Sequence, residues 1–151
     1  MAAGTLVDAD AVPLILRFLR AHAAVLEQFG GDPKRIGTST KPPFPRLVIR
    51  PSGGSPQGQT LWRTEQDMTL HVYADRAGVP GDSALRRALA VVLVALGDLP
   101  YAPVIDPQAA VVSMVAQTTP PTPLYDPARP RWMAGVRLTV HPPPVAPPPP
   151  A

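Results

Sequence analysis

Between Gln66 and Leu96 the hydrophobic pattern of the chain changes character. Met68, Leu70, Val72 and Ala74 alternate with Asp67, Thr69, His71 and Tyr73, the period of a strand with one apolar and one polar face. A Gly/Pro break follows over Asp75–Asp82, with Gly78, Pro80 and Gly81. Ala88 to Leu96 is then apolar without interruption. This predicts a helix capped by Asp82 or Ser83 and ended at Gly97, with almost no wet side. Leu85, Leu89, Val92, Leu93 and Leu96 form the face expected on a sheet. Val91 and Val94 point the opposite way and flank Arg87, so cover is expected from the first helix or from another subunit.

The remaining periodic segments complete an α+β plan. Val12, Ile15, Leu16, Leu19, Ala23 and Leu26 recur at helical spacing, predicting one helix from Asp10 to Phe29. Asp8 or Asp10 can cap it, and Pro13 is tolerated in its first turn. Gly30-Gly31 supplies the stop. Asp32–Pro45 has no period and reads as a surface loop. Arg46–Arg50 is a short strand, joined by the connector Ser52–Gln59 to the long strand of about Leu61–Ala74, as a hairpin with a mobile tip. Ala109–Thr118 reads as a strand with both faces largely apolar, central or interface-facing. Thr119–Arg131 reads as a proline-rich loop. Trp132–His141 is the last strand, with Trp132, Ala134, Val136, Leu138 and Val140 on one face. The expected architecture is α-β-β-α-β-β, a four-stranded, mostly antiparallel sheet with two helices on one face. Residues 1–141 form one domain, and 142–151 form an extended polyproline-type tail.

Composition narrows the class. With 151 residues, 45% hydrophobic and 17% charged, the chain can bury a real core and is too apolar for a disordered protein. It carries 23 prolines and no cysteine, which excludes disulfides, thiolate metal sites and a cysteine nucleophile. The first residues lack the basic and apolar regions of a signal peptide. The longest apolar run is too short to span a membrane, so the expected setting is soluble and intracellular. The net charge of +3 comes from arginines spread over many segments, and a solvated arginine surface accounts for it better than a nucleic-acid patch.

Candidate chemistry is sparse. His22, His71 and His141 have no carboxylate at metal-ligand spacing. Glu65 and Asp67 share one strand face, as an acid/base or divalent-cation pair would, but lack a third ligand and read as a solvated face. Gly53-Gly54-Ser55 is followed by no helix and makes no nucleophile elbow. Gly78–Asp82 lacks the glycine spacing and lysine of a phosphate loop. Neither a catalytic group, a metal site nor a cofactor site is expected. Trp62, Tyr125, Arg129, Arg131 and Trp132 have the composition of an interface hot spot. Arg129, Arg131 and Trp132 together could instead stack on nucleic-acid bases.

The order of elements, from the early helix through Leu47-Val48-Ile49, Met68–Ala74, the Ser83–Leu96 helix and the Trp132–Val140 strand, resembles tail terminator (tail completion) proteins of long-tailed bacteriophages, particularly those of actinobacterial hosts. The Ala/Arg/Pro-rich, lysine-poor composition suits a GC-rich genome. The resemblance implies a structural virion protein, not an enzyme: a hexameric ring that caps the tail tube, stops its polymerisation and meets the head-completion or connector protein. DNA would pass through its lumen, with no membrane and no cofactor involved. It would be assembled in the host cytoplasm and reside in the virion neck. Val91, Val94, the hairpin tip and the Thr119–Arg131 loop would then contact neighbours, and the stiff tail could dock along one with little entropy loss. The rival readings are a head-tail adaptor, stopper or minor tail protein, and a basic nucleic-acid-binding domain.

Overall fold

The computed structural model describes residues 11–55, 64–101, 111–126 and 129–141. The possible N-caps Asp8 and Asp10, most of the hairpin tip, Trp62 and the 142–151 tail lie outside the described residues. The fold is α+β, a mixed five-stranded sheet with three helices. In chain order the elements are α1 (Ala11–Ala21), α2 (Ala23–Gln28), β1 (Ile36–Gly37), β2 (Arg46–Ser55), β3 (Thr64–Tyr73), α3 (Asp82–Gly97), β4 (Val111–Leu124) and β5 (Arg131–His141). The sheet order is β1-β2-β3-β5-β4. β2, β3, β5 and β4 pair antiparallel, whereas β1 pairs parallel with β2.

The single N-terminal helix expected from the pattern is broken at His22, whose backbone is extended (φ −85°, ψ 114°). The break changes the phase of burial. Ala11, Ile15 and Leu19 are buried on α1, but Val25 and Phe29 take over on and after α2 while Ala23 is exposed. Gly30 and Gly31 stop α2 at positive φ (68° and 72°), with the Gly31 amide donating back to the Leu26 carbonyl at 2.7 Å.

The Asp32–Pro45 segment is more than a loop. Asp32 caps a 3-10 turn at Pro33–Arg35 through its side chain. β1 follows, pinned to α1 by the Arg20 Nε hydrogen bond to the Ile36 carbonyl at 2.8 Å. A two-residue strand leaves no period to read, which is why its sequence looked irregular. Arg46 holds the segment's far side, donating from its guanidinium to the Lys34 and Lys41 carbonyls. Burial pulls its pKa below the ordinary arginine value, aided by Arg20 and Arg35 and opposed by Asp32.

β2 continues past Arg50 into the glycines of the expected connector, with a register shift between Pro51 and Gly53. β4 departs furthest from expectation. It lies at the sheet edge, not the centre, and runs through Pro120, Pro121 and Pro123. An edge strand needs a ladder on one side only, so missing N–H groups are tolerated there. Three register shifts interrupt the pairing with β5, and the last, between Thr119 and Thr122, spans Pro120 and Pro121. α3 has the expected span, but Gly81 rather than Asp82 or Ser83 occupies its N-cap, and no side chain caps it.

All three helices contribute to one core with one side of the sheet. Leu47 and Ile49 of β2, Met68, Leu70 and Val72 of β3, and Ala134, Val136, Leu138 and Val140 of β5 share one buried cluster with Leu85, Leu89, Val92 and Leu96 of α3 and with Ile15, Leu19, Val25 and Phe29 from α1, α2 and the residue after it. Leu93, expected among the last group, is half-buried. The opposite side of the sheet carries the alternate residues. No helix of the described residues is long and apolar enough to cross a membrane.

Candidate functional site

Three features of the surface could do something other than hold the fold together. They are a polar network on the sheet side away from the helices, a cavity at one end of that side, and the outer face of α3.

The network is built by cross-strand register. Asp67 of β3 lies opposite Arg137 of β5. Arg137 donates from Nε to Asp67 Oδ1 at 2.7 Å and from its second nitrogen, Nη2, to Oδ2 at 3.1 Å. Glu65 Oε2 is 3.8 Å from Arg137 Nη1. The Arg137 hydrogen bonds hold the Asp67 carboxyl below its ordinary pKa, against a smaller opposing effect of burial. The same pairing raises Arg137. The two carboxylates do share a face, as the sequence implies, and the guanidinium between them occupies the place a divalent cation would need. No cluster of three or more His, Cys, Asp or Glu among the described residues could hold a metal.

Four residues beyond Asp67 along β3, His71 is half-buried. Its Nε2 lies 3.2 Å from Thr69 Oγ1, and its ring stacks on Tyr73 with centroids 6.0 Å apart. Burial, with Arg131 and Arg50 adding repulsion, pushes His71 down to about 4, so it is neutral at pH 7. The Arg131 guanidinium sits 5.4 Å from the Tyr73 ring centroid and 3.8 Å from Asp126 Oδ2. Tyr73 is thereby only 4% exposed although it lies away from the core.

Beyond Tyr73 a cavity of about 670 Å3 opens between the loop after β1 and the segment following β3. Pro42, Phe44 and Tyr73 supply apolar wall, and Lys41, Arg76 and Arg129 supply charge. Two hydrogen bonds tie its walls together: Arg129 Nη1 to Thr40 Oγ1 at 3.0 Å, and the Ala74 amide to the Pro130 carbonyl at 3.0 Å. Asp75, the one acidic residue among the described residues of the lining, accepts the Val79 amide at 2.8 Å and stabilises the turn into α3. The side chains of Lys41 and Arg76 are exposed and make no hydrogen bond or ion pair among the described residues.

On α3, Val94 is 73% exposed. With Ala24, Ala90 and Val91 it forms an apolar groove of about 340 Å3 between α2 and α3, bounded by Arg87 and Asp98. α2 therefore covers Val91 in part, and Val91 packs against the core, but Val94 stays open.

The expected interface residues do not converge. Arg129 lines the cavity, Arg131 lies over Tyr73, and Tyr125 is 78% exposed beside β4. Trp132 points the other way, half-buried against the core. Adjacent residues of a strand face opposite sides of a sheet, so the sequence neighbours Arg131 and Trp132 cannot share one stacking platform. Lys41, Phe44, Tyr73 and Arg76 join Arg129 only through folding. Nothing in the local pattern marks them, because they come from a loop, a strand end and a turn. No protein-family model matches the chain, and no curated protein matches it in sequence.

Proposed function

We propose that this chain is a structural subunit that assembles head to tail with copies of itself, a tail-terminator-like ring protein. The observation that carries this reading is the outer face of α3. A valine 73% exposed in an apolar groove keeps apolar surface in water at an unfavourable hydration free energy, and full burial of such a side chain contributes about 1.5–3 kcal/mol. The same chain exposes Met114 (60%) and Tyr125 (78%) on and after β4. A groove on one element and exposed apolar side chains on another favour a heterologous contact, and heterologous contacts form a ring where the rotation between neighbours closes. The bounding Arg87 and Asp98 would set the orientation of whatever enters the groove. The proposed occupant is the β4 region of the next copy.

On this reading the ring sits at the end of a phage tail tube, halts its growth and joins it to the head-completion protein, with DNA passing through the lumen. None of these tasks requires a reacting group. Size-exclusion chromatography with light scattering tests the assembly. The wild-type chain should elute with about six times the mass of the 16.0 kDa subunit. Val94→Asp should elute as a monomer with unchanged circular dichroism and a melting temperature within a few degrees of wild type. A wild-type protein that is monomeric across the concentration range, or a Val94→Asp variant that still assembles, would overturn the reading.

A further inference from the structure

We propose that the cavity at the end of β3 binds a carboxylate-bearing segment of a partner protein. Acidic side chains would meet Lys41, Arg76 and Arg129, and an apolar side chain would enter over Pro42 and Phe44.

Charge is the first argument. Among the described residues the lining carries three cations and one carboxylate, and that carboxylate is engaged by the Val79 amide. Lys41 and Arg76 have no partner among the described residues, so their charge is available to an incoming anion. They also flank a low-dielectric wall, where a charge pair is screened less than on an open surface.

The walls argue for the kind of anion. Proline, phenylalanine, tyrosine and alanine make up much of the lining, so the occupant buries apolar surface together with charge. An acidic polypeptide with interspersed apolar residues offers both. A phosphodiester backbone offers only charge, and it favours a row of cations along an open groove. Stacking along a strand of bases uses several accessible aromatic faces beside the cations, but Tyr73 is 4% exposed with Arg131 over its ring, which leaves Phe44 as the aromatic face of the described lining. The cavity is also preformed. Arg129 clamps Thr40, and Arg46 holds the Lys34 and Lys41 carbonyls, so little ordering cost falls on binding. This inference does not depend on the ring reading, because the cavity lies away from the α3 groove.

Fluorescence anisotropy of a labelled peptide of alternating glutamate and leucine tests it, with an alternating glutamine–leucine peptide as the control. The glutamate peptide should bind, with affinity falling as salt rises. The double variant Lys41→Gln/Arg76→Gln should weaken binding about tenfold, since two partly exposed charge pairs are removed. Arg86→Gln, on the exposed side of α3, should leave binding unchanged. Should the double variant not fold, Arg76→Gln alone should weaken binding about threefold. No binding of the glutamate peptide, equal binding of the glutamine peptide, or full binding by the charge-removed variant would overturn the proposal. Duplex DNA that competes with the peptide and loses its own binding in the same variant would overturn it too, in favour of phosphate recognition.

Discussion

The two sides of the sheet are made from alternate residues of the same strands, yet they are held by different physics. On the helix side β3 contributes Met68, Leu70 and Val72, all buried in one aliphatic core. On the other side it contributes Glu65, Asp67, Thr69, His71 and Tyr73, joined to β5 by the Arg137 fork and the Arg131–Tyr73 contact. The first side is non-directional and tolerates little loss of volume. The second is directional and half-wet, and responds to pH and salt. The lesson is that stability and responsiveness occupy opposite sides of one strand, so substitutions one residue apart should behave differently.

The largest effect should come from the helix side. Leu70→Ala removes a fully buried side chain and should cost about 2–5 kcal/mol in urea unfolding. The adjacent Thr69→Ala loses the Oγ1 contact with His71 and should cost about 1 kcal/mol at most. Equal costs for the two would break the comparison.

Next comes a place where the polar side is itself tightly packed. A Cβ on Gly135 would lie 2.6 Å from Thr118 Oγ1 and 3.0 Å from Thr119 Oγ1. Threonine's branch at Cβ keeps those oxygens close to the backbone, and the bulged β4 must shift. Gly135→Ala should therefore cost about 1–3 kcal/mol. A neutral result would show that β4 moves freely at this edge.

His71 sharpens the contrast through pH. Its folded value of about 4 lies below the ordinary 6.5, so the unfolded chain binds more protons between these values. Its contribution is complete above pH 6.5 and is lost as the pH falls towards 4. Denaturation midpoints measured across that window should fall with pH for the wild type and less steeply for His71→Gln. Identical slopes would mean that His71 is solvated like any surface histidine. Below this window Asp67 takes over, because its depressed value makes its contribution disappear as the pH drops through it.

The smallest effect is expected for Asp67→Asn. The Arg137 side chain is 40% exposed, so water and salt screen the pair. The variant's deficit should shrink as sodium chloride is raised. A deficit insensitive to salt would place the pair in a drier setting than its exposure indicates.

Much of this division was legible beforehand. Alternation from Asp67 to Ala74 and from Val136 to Val140 assigns those residues to a side, because the strand period of two admits no compromise. The apolar run Ala88–Leu96 and the Gly30-Gly31 stop were equally direct. The break at His22 was not, since Leu26 continues the helical period that the extended backbone interrupts. The proline-bearing half of β4 was also hidden. Proline argues against a strand unless its edge position is known, and strand order is a tertiary fact.

The sequence by itself determined which residues are apolar, at what period they recur and where the backbone must turn, because these depend on neighbours a few positions away. The tertiary structure decided which edge stays open, that Arg137 joins the Glu65–Asp67 pair, and that Val94 remains exposed while α2 shelters Val91. It alone brought Lys41, Phe44, Arg76 and Arg129 around one cavity. Those outcomes rest on contacts between segments far apart in the chain, and the strength of such contacts depends on packing geometry that no local pattern encodes.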